Sequence, residues 1–318
     1  MSKKGIAVKL LKERTMSLGI TVVVICIASA IIWPISFATF DNISRILLGV
    51  ATNTIVAIGM MLLLISGDFD LSVGSVMALS GGVAAKLMVE VNANFLLATL
   101  AGLICAVLVG LTNALLITKV GINGMVQTLA MMGIVRGLTL ITVDRGIMGF
   151  PEAFNAIGQG KFLGLRLPIW YMIVIAVLLG VLSSKTVFFK RYYYIGGNPK
   201  AAFLSGINVK KMKIIGFVLC AFLSGLAGII LTSRMGAANL TAGQGIEMTA
   251  ITAAILGGAS MQGGKGTVLG AVLGSVFMGL VNNIMIIARV TVFWQDIVLG
   301  IILILAVSLD SFVNRKSA

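Results

Sequence analysis

A sequence repeat at a spacing of 169 residues limits this chain's possible folds more than any other feature. Gly67-Asp68-Phe69-Asp70-Leu71-Ser72-Val73-Gly74 returns as Gly236-Ala237-Ala238-Asn239-Leu240-Thr241-Ala242-Gly243. The shared pattern is Gly, an Asp or Asn, Leu, a hydroxyl residue and a closing Gly. A second echo keeps the same offset: Val107, Gly110, Leu111 and Asn113 recur as Val276, Gly279, Leu280 and Asn282. Two separate echoes at one offset favour a duplicated unit over chance among abundant Gly and Leu. In a membrane chain, a unit with an odd number of spans is inserted upside down the second time. Inverted repeats with Gly-interrupted helices mark transport pathways.

The membrane premise follows from composition. The chain is 59% hydrophobic and 11% charged, with a mean hydropathy of +1.11. Runs of about 20 apolar residues can satisfy their own backbone in lipid only as helices, and the alternating pattern of a lipid-facing barrel is missing. The expected fold is an all-α polytopic membrane protein, a single transmembrane domain over residues 1–318. Ten spans are expected at 17–37, 46–66, 71–89, 95–117, 124–143, 168–184, 214–232, 247–263, 266–287 and 294–313. Spans 71–89 and 247–263 are the weakest, being short and Gly-rich. Both follow or overlap the repeated motif, so broken half-helices are expected near 67–74 and 236–243. Residues 17–143 then form the first repeat and 168–313 the second, an inverted 5+5 arrangement.

The net charge of +14 suggests nucleic acid at first sight, but its placement does not. With the N-terminus in the cytoplasm, the inside segments hold Lys3, Lys4, Lys9, Lys12, Arg14, Lys119, Lys265, Arg315, Lys316 and the seven basic residues of 185–213. That makes 16 of the 24 Lys and Arg. The positive-inside rule is satisfied, both termini fall in the cytoplasm, and anionic lipid on that side adds attraction. Residues 1–16 are the cytoplasmic N-terminal segment. The apolar run after them is of full span length and reads as a retained first span, not a cleaved signal. This orientation places 67–74 near the cytoplasm and 236–243 near the exterior.

The chain has no His, which excludes Ser-His-Asp triads, Cys-His dyads and His-ligated metals. Cys26, Cys105 and Cys220 each lie in an apolar run and read as packing residues. No metal site and no catalytic residue is expected. A phosphate-binding G-x-x-x-x-G-K-[S/T] loop is also missing, the nearest segment being Ala259–Gly266, so the chain should not hydrolyse ATP alone.

The largest charged connection is 185–213, with seven basic residues and no acid. Within it, Asn198-Pro199-Lys200-Ala201-Ala202-Phe203-Leu204-Ser205-Gly206 has the form of a short capped helix. Asn198 suits the cap, Pro199 the first helical position and Gly206 the stop. A basic loop at the lipid surface explains the charge equally well, and a docking helix for a cytoplasmic partner explains the caps too.

IGGNPKAAFLSGINV resembles the cytoplasmic loop of the permease subunits of bacterial ABC importers for monosaccharides. This is the ribose/xylose/galactose permease family, within the larger group that includes branched-chain amino-acid permeases. GDFDLSVGS is similar to that family's IDLSVG signature, and ANLTAGQGIEMTAITAAILGGASMQGGKGTVLGAVLGS to its C-terminal signature. Together they span nearly the whole chain. The resemblance implies a membrane pathway in the bacterial inner membrane that works with a second permease copy. A cytoplasmic ATP-binding subunit using ATP and Mg, and an extracytoplasmic solute-binding protein, complete it. It also implies coupling to the ATPase through Asn198, Pro199, Lys200, Ala201, Ala202, Ser205 and Gly206. Two departures bear on the solute: Thr249 stands where the family usually has an acid after Glu247, and Val120–Gly124 replaces a Pro-rich segment.

Polar residues in spans are costly unless they are paired or face water. The candidates for the solute path are Asp70, Ser72, Asn113, Asn239, Thr241 and Asn282, with Asn283, Gln127 and Arg136 nearby. Asp70 and Asn239 could equally cap the half-helices that follow them, and Asn113 and Asn282 could bond across helices. Two alternatives stay open: an ion-coupled secondary transporter, and an ABC importer for a nucleoside or branched-chain amino acid.

Overall fold

The computed structural model describes residues 14–315. The basic residues Lys3, Lys4, Lys9, Lys12 and Lys316 lie outside the described residues. The elements in order are α1 (Arg14–Ile32), α2 (Phe40–Ile65), α3 (Val73–Val89), α4 (Phe95–Leu115), α5 (Gly124–Thr142), β1 (Ile147–Met148), α6 (Glu152–Gln159), β2 (Lys161–Phe162), β3 (Leu165–Arg166), α7 (Leu167–Lys185), α8 (Val187–Gly197), α9 (Pro199–Leu204), α10 (Val209–Met235), β4 (Ala237–Ala238), α11 (Ile246–Leu256), α12 (Val268–Ile287) and α13 (Val292–Arg315).

Among the described residues, seven helices are long and apolar enough to cross a membrane: α1, α2, α5, α7, α10, α12, and α4 with its π-helical extension at Leu116–Val120. Three shorter apolar helices, α3, α11 and Phe293–Ser308 within α13, bring the set to ten. The structure is that of an all-α polytopic membrane protein.

Several boundaries differ from the sequence reading. The first helix stops at Ile32, short of 37, because Pro34 lacks the N–H that would continue it. The eighth span is helical only to Leu256; Gly258, Gly263 and Gly264 then take φ of 99°, 88° and 74° and turn the chain. The segment 185–213 is not an open loop, since α8 fills its first third.

The duplication reappears in the packing. Helices α2 and α10 begin at Phe40 and Val209, the same 169 residues apart as the motif. α10 packs on α3 and α4, and its counterpart α2 packs on α11 and α12. α2 and α10 face each other antiparallel. Lys213 near the start of α10 meets Asp68 just past the end of α2, while Arg234 near the end of α10 donates to the Leu48 carbonyl near the start of α2 at 2.8 Å. Exchanging the two halves leaves this arrangement unchanged. α2 is the central strut, buried from Thr54 to Ser66.

One positional expectation is corrected. The two motif copies start at opposite ends of the bundle, but they do not stay there. Residues 66–72 and 236–245 are largely non-helical leads that run inward, and their closing glycines, Gly74 and Gly243, meet backbone to backbone. A Cβ on either one would collide with the other's carbonyl oxygen. α3 has 17 residues and α11 has 11. At 1.5 Å per residue they reach roughly 25 and 16 Å, less than a bilayer core of about 30 Å. The leads supply the rest.

Gly74→Ala and Gly243→Ala should each cost about 1–3 kcal/mol by overpacking. Gly300→Ala, where an added Cβ meets nothing within 4 Å, should be nearly neutral. Thermal unfolding of the purified variants in detergent checks this.

Candidate functional site

At one end of the bundle, α8 and α9 form a compact appendage. Asn198 accepts hydrogen bonds from the Lys200 and Ala201 N–H groups at 3.1 and 3.0 Å, and Pro199 occupies the first helical position. The Ser205 hydroxyl donates to the Ala201 carbonyl at 2.9 Å, and Gly206 takes φ 81°. Ala202 is buried against the core, whereas Asn198, Pro199, Lys200, Ala201, Ser205 and Gly206 are exposed. The same turn presents Phe203 and Leu204 outward, 69% and 84% exposed, beside a groove lined also by Pro199, Ile207 and Val209. Neither is among the coupling residues that the family resemblance implies. Their signal was present: in a six-residue helix only one face can pack, and the small Ala202 occupies it.

The appendage is tied to the bundle by close contacts. Gly196, at the end of α8, lies so near Ile65 O and the Gly264 backbone that no Cβ fits there, and the Gly264 N–H donates to Ile65 O at 2.8 Å. The Tyr193 hydroxyl donates to Gly266 O at 2.9 Å, and the Tyr192 hydroxyl to Met212 O at 3.0 Å. Burial pushes the Tyr192 phenol well up, so it remains a donor. Through α8, from which α9 continues directly, the appendage thus touches the end of α2, the start of α10 and the loop leading into α12.

At this same end Lys213 Nζ lies 2.8 Å from Asp68 Oδ2 and 2.9 Å from Oδ1. Burial pushes the Asp68 carboxyl above the ordinary carboxylate range, and the Lys213 ammonium opposes that. Deeper in, three path candidates, Asp70, Ser72 and Asn113, close on one another and on Gln127. Asp70 accepts from the Ser72 N–H at 2.8 Å and the Ser72 hydroxyl at 2.6 Å, forming a turn before α3. Asn113 donates to Ser72 Oγ at 3.1 Å and to Asp70 at 3.4 Å, and Gln127 donates to Asn113 at 3.2 Å. All four are buried.

The second copy differs. Asn239 is half-buried, Thr241 is exposed, and both lie well before α11, which starts at Ile246 after Gly245 at φ 78°. Arg136 of α5 holds this lead, donating to the carbonyls of Leu240 and Ala242 at 3.2 and 2.9 Å. The Glu247 carboxylate acts on it electrostatically and lies against Gly74. Asn282, the counterpart of buried Asn113, is exposed. It lines a cavity of about 600 Å³ between α2 and α12, with Asp41, Arg45, Asn53 and Asn283. Sequence reasoning did not single out Asn53; a lone amide amid apolar residues in the middle of a span was the signal.

The end opposite α9 is covered by 144–166. Ile147 and Met148 pair with Ala238 and Ala237. The Ser233 hydroxyl donates to Phe154 O at 2.6 Å and accepts from the Gly158 N–H at 2.7 Å, while the Phe154 ring is fully buried. Among the described residues no cluster of acids and Cys could hold a metal ion.

Over residues 42–307 the chain matches the family described as "Branched-chain amino acid transport system / permease component". It is 42% identical over 304 residues to the ribose import permease protein RbsC of Bacillus subtilis (strain 168), covering 95% of this chain and 92% of that one. It is 41% identical over 293 residues to the L-arabinose transport system permease protein AraH of Escherichia coli (strain K12), covering 92% and 89%. To the ribose import permease protein RbsC of Escherichia coli (strain K12) it is 36% identical over 287 residues, covering 88% of each. No solved structure matches the chain.

Lys213→Met should strand the Asp68 carboxylate and cost roughly 3 kcal/mol, whereas Asp68→Asn combined with Lys213→Met should recover most of that loss. Unfolding midpoints of the single and double variants read the difference.

Proposed function

The chain belongs to the branched-chain amino acid transport system / permease component family, and from that premise we propose that it is the membrane-spanning subunit of an ATP-driven importer carrying a monosaccharide into the cytoplasm. The relatives named for ribose and L-arabinose support the sugar class. The observation that carries the reading is α9: a capped, exposed helix presenting Phe203 and Leu204 beside a groove, and joined to the bundle through the Gly196–Gly264 contact. A carrier driven by an ion gradient has no need of such a dock.

On this reading the α9 end is cytoplasmic, both termini lie on that side of the inner membrane, and α9 seats in a partner ATPase. ATP and Mg bind that partner and supply the energy. A loaded solute-binding protein docks at the opposite end, on the outer loops 144–167 and 233–246. A second permease copy covers the open face of α5, where Gly133 and Gly137 have nothing within 4 Å of an added Cβ and a neighbouring helix can approach closely. Nucleotide closure of the ATPases moves α9, and the bundle shifts between states open to opposite sides.

Purifying the tagged chain from its native membranes in mild detergent tests this. A co-purifying P-loop ATPase is the expected result; a stable preparation of the chain alone would favour ion-driven transport. Phe203→Asp with Leu204→Asp should remove the ATPase from the preparation and cut uptake at least tenfold, with membrane insertion intact. Gly206→Leu, forced into a left-handed φ, should likewise uncouple uptake.

A further inference from the structure

The cavity between α2 and α12 has a composition that lipid contact does not explain. Asn53 lies about 20 Å along α2 from Phe40, at 1.5 Å per residue, which is near mid-bilayer depth. Among the described residues, neither Asn53 nor Asn282 makes a side-chain hydrogen bond within the chain, and Arg45 and Asp41 make no ion pair. Amides and an exposed guanidinium in membrane helices need water, a partner or a ligand. Nearby, Asn42 and Asn283 bond reciprocally at 3.1 and 2.8 Å, and Asn42 also donates to Phe37 O at 3.1 Å. That pair fixes the wall from which the unpaired amides project.

The repeat provides an internal comparison. Positions 169 away from Arg45 and Asn53 are Ile214 and Phe222. The counterpart of Asn282 is Asn113, locked into the Asp70 cluster. Arg45 and Asn53 therefore have no polar equivalent on α10, so the paired α2–α10 scaffold itself does not require them. The volume of about 600 Å³ falls within the usual range for small-molecule pockets, about 300–1,000 Å³. The donor set is mixed: carboxamides both donate and accept, Asp41 accepts and Arg45 donates. Such a set matches a neutral polyol, whose every hydroxyl does both.

We propose that this cavity is a solute site for a neutral polyhydroxylated molecule of monosaccharide size, with Asn53 as its inner contact and Asn282, level with the Asn42–Asn283 pair, nearer its mouth beside Arg45 and Asp41. It is open at the end opposite α9 while the Asp68–Lys213 end is closed. The proposal rests on the importer reading above.

The test is ATP-driven uptake of radiolabelled D-ribose and L-arabinose by the complete complex in proteoliposomes. Asn53→Leu and Asn282→Leu are each expected to lower uptake at least tenfold, with Asn53→Gln recovering part of it. Gly49→Met is the second approach. Gly49 lines the cavity and an added Cβ there meets nothing within 4 Å, so the longer side chain should plug the space without unfolding the bundle. Loss of uptake by Gly49→Met with an unchanged unfolding midpoint supports the site. Uptake within twofold of wild type in all of these variants overturns it. Loss of uptake that only tracks loss of stability or of assembled ATPase also overturns it, because the residues would then be structural. A wild-type complex that moves neither sugar rejects the sugar reading instead, a result distinguishable from failure of the site.

Discussion

The structure depends on the contact between Gly74 and Gly243, where the two copies of the repeat meet with no side chain between them. Two helices begin inside the bundle only because both leading segments, 66–72 and 236–245, can enter it as non-helical backbone. That arrangement leaves peptide groups that lipid cannot satisfy, each costing several kcal/mol. The neighbouring polar residues answer that cost. Asp70 takes the N–H and hydroxyl of Ser72, and Arg136 takes the carbonyls of Leu240 and Ala242. Asp70, Ser72, Asn113 and Gln127 thus have a structural task whatever else they do. It differs from the helix capping that the sequence suggested, since the bonds close the turn ahead of the helix.

Around this centre the halves match in fold and differ in chemistry. At the α9 end an ion pair and a buried amide cluster fill the space; at the other end unpaired amides line an open cavity. A symmetric scaffold with one end closed and the other open is what alternating access requires. The contacts of Gly196 with Ile65 and Gly264 link α9 to the strut that runs between the two ends. On the proposed reading, a push on α9 reaches the closed end first, through α2 and the start of α10.

Much of this was legible in the sequence, for physical reasons. Apolar runs fixed the helices because lipid leaves the backbone no alternative. The 169-residue offset located the broken segments, and Asn198, Pro199 and Gly206 announced α9 because capping is local chemistry. What stayed hidden was long-range. No local rule says that Gly74 touches Gly243, that Asn113 is locked while Asn282 is exposed, or that Phe203 and Leu204 point outward. The basic content of 185–213 masked α8, whose buried Phe189, Tyr192 and Ile195 lie among cations. Membrane patterning also hides function: an amide in a span reads alike whether it caps, packs or binds.

The central claim is that this bundle moves solute at the expense of ATP hydrolysed by a partner. The most direct measurement is sugar accumulation in sealed vesicles holding the purified complex and loaded binding protein, with nucleotide and ion gradients controlled separately. Accumulation that requires ATP on the α9 side and is indifferent to collapsed Na⁺ and H⁺ gradients is the predicted result. Accumulation without ATP that vanishes when an ion gradient is dissipated would contradict it.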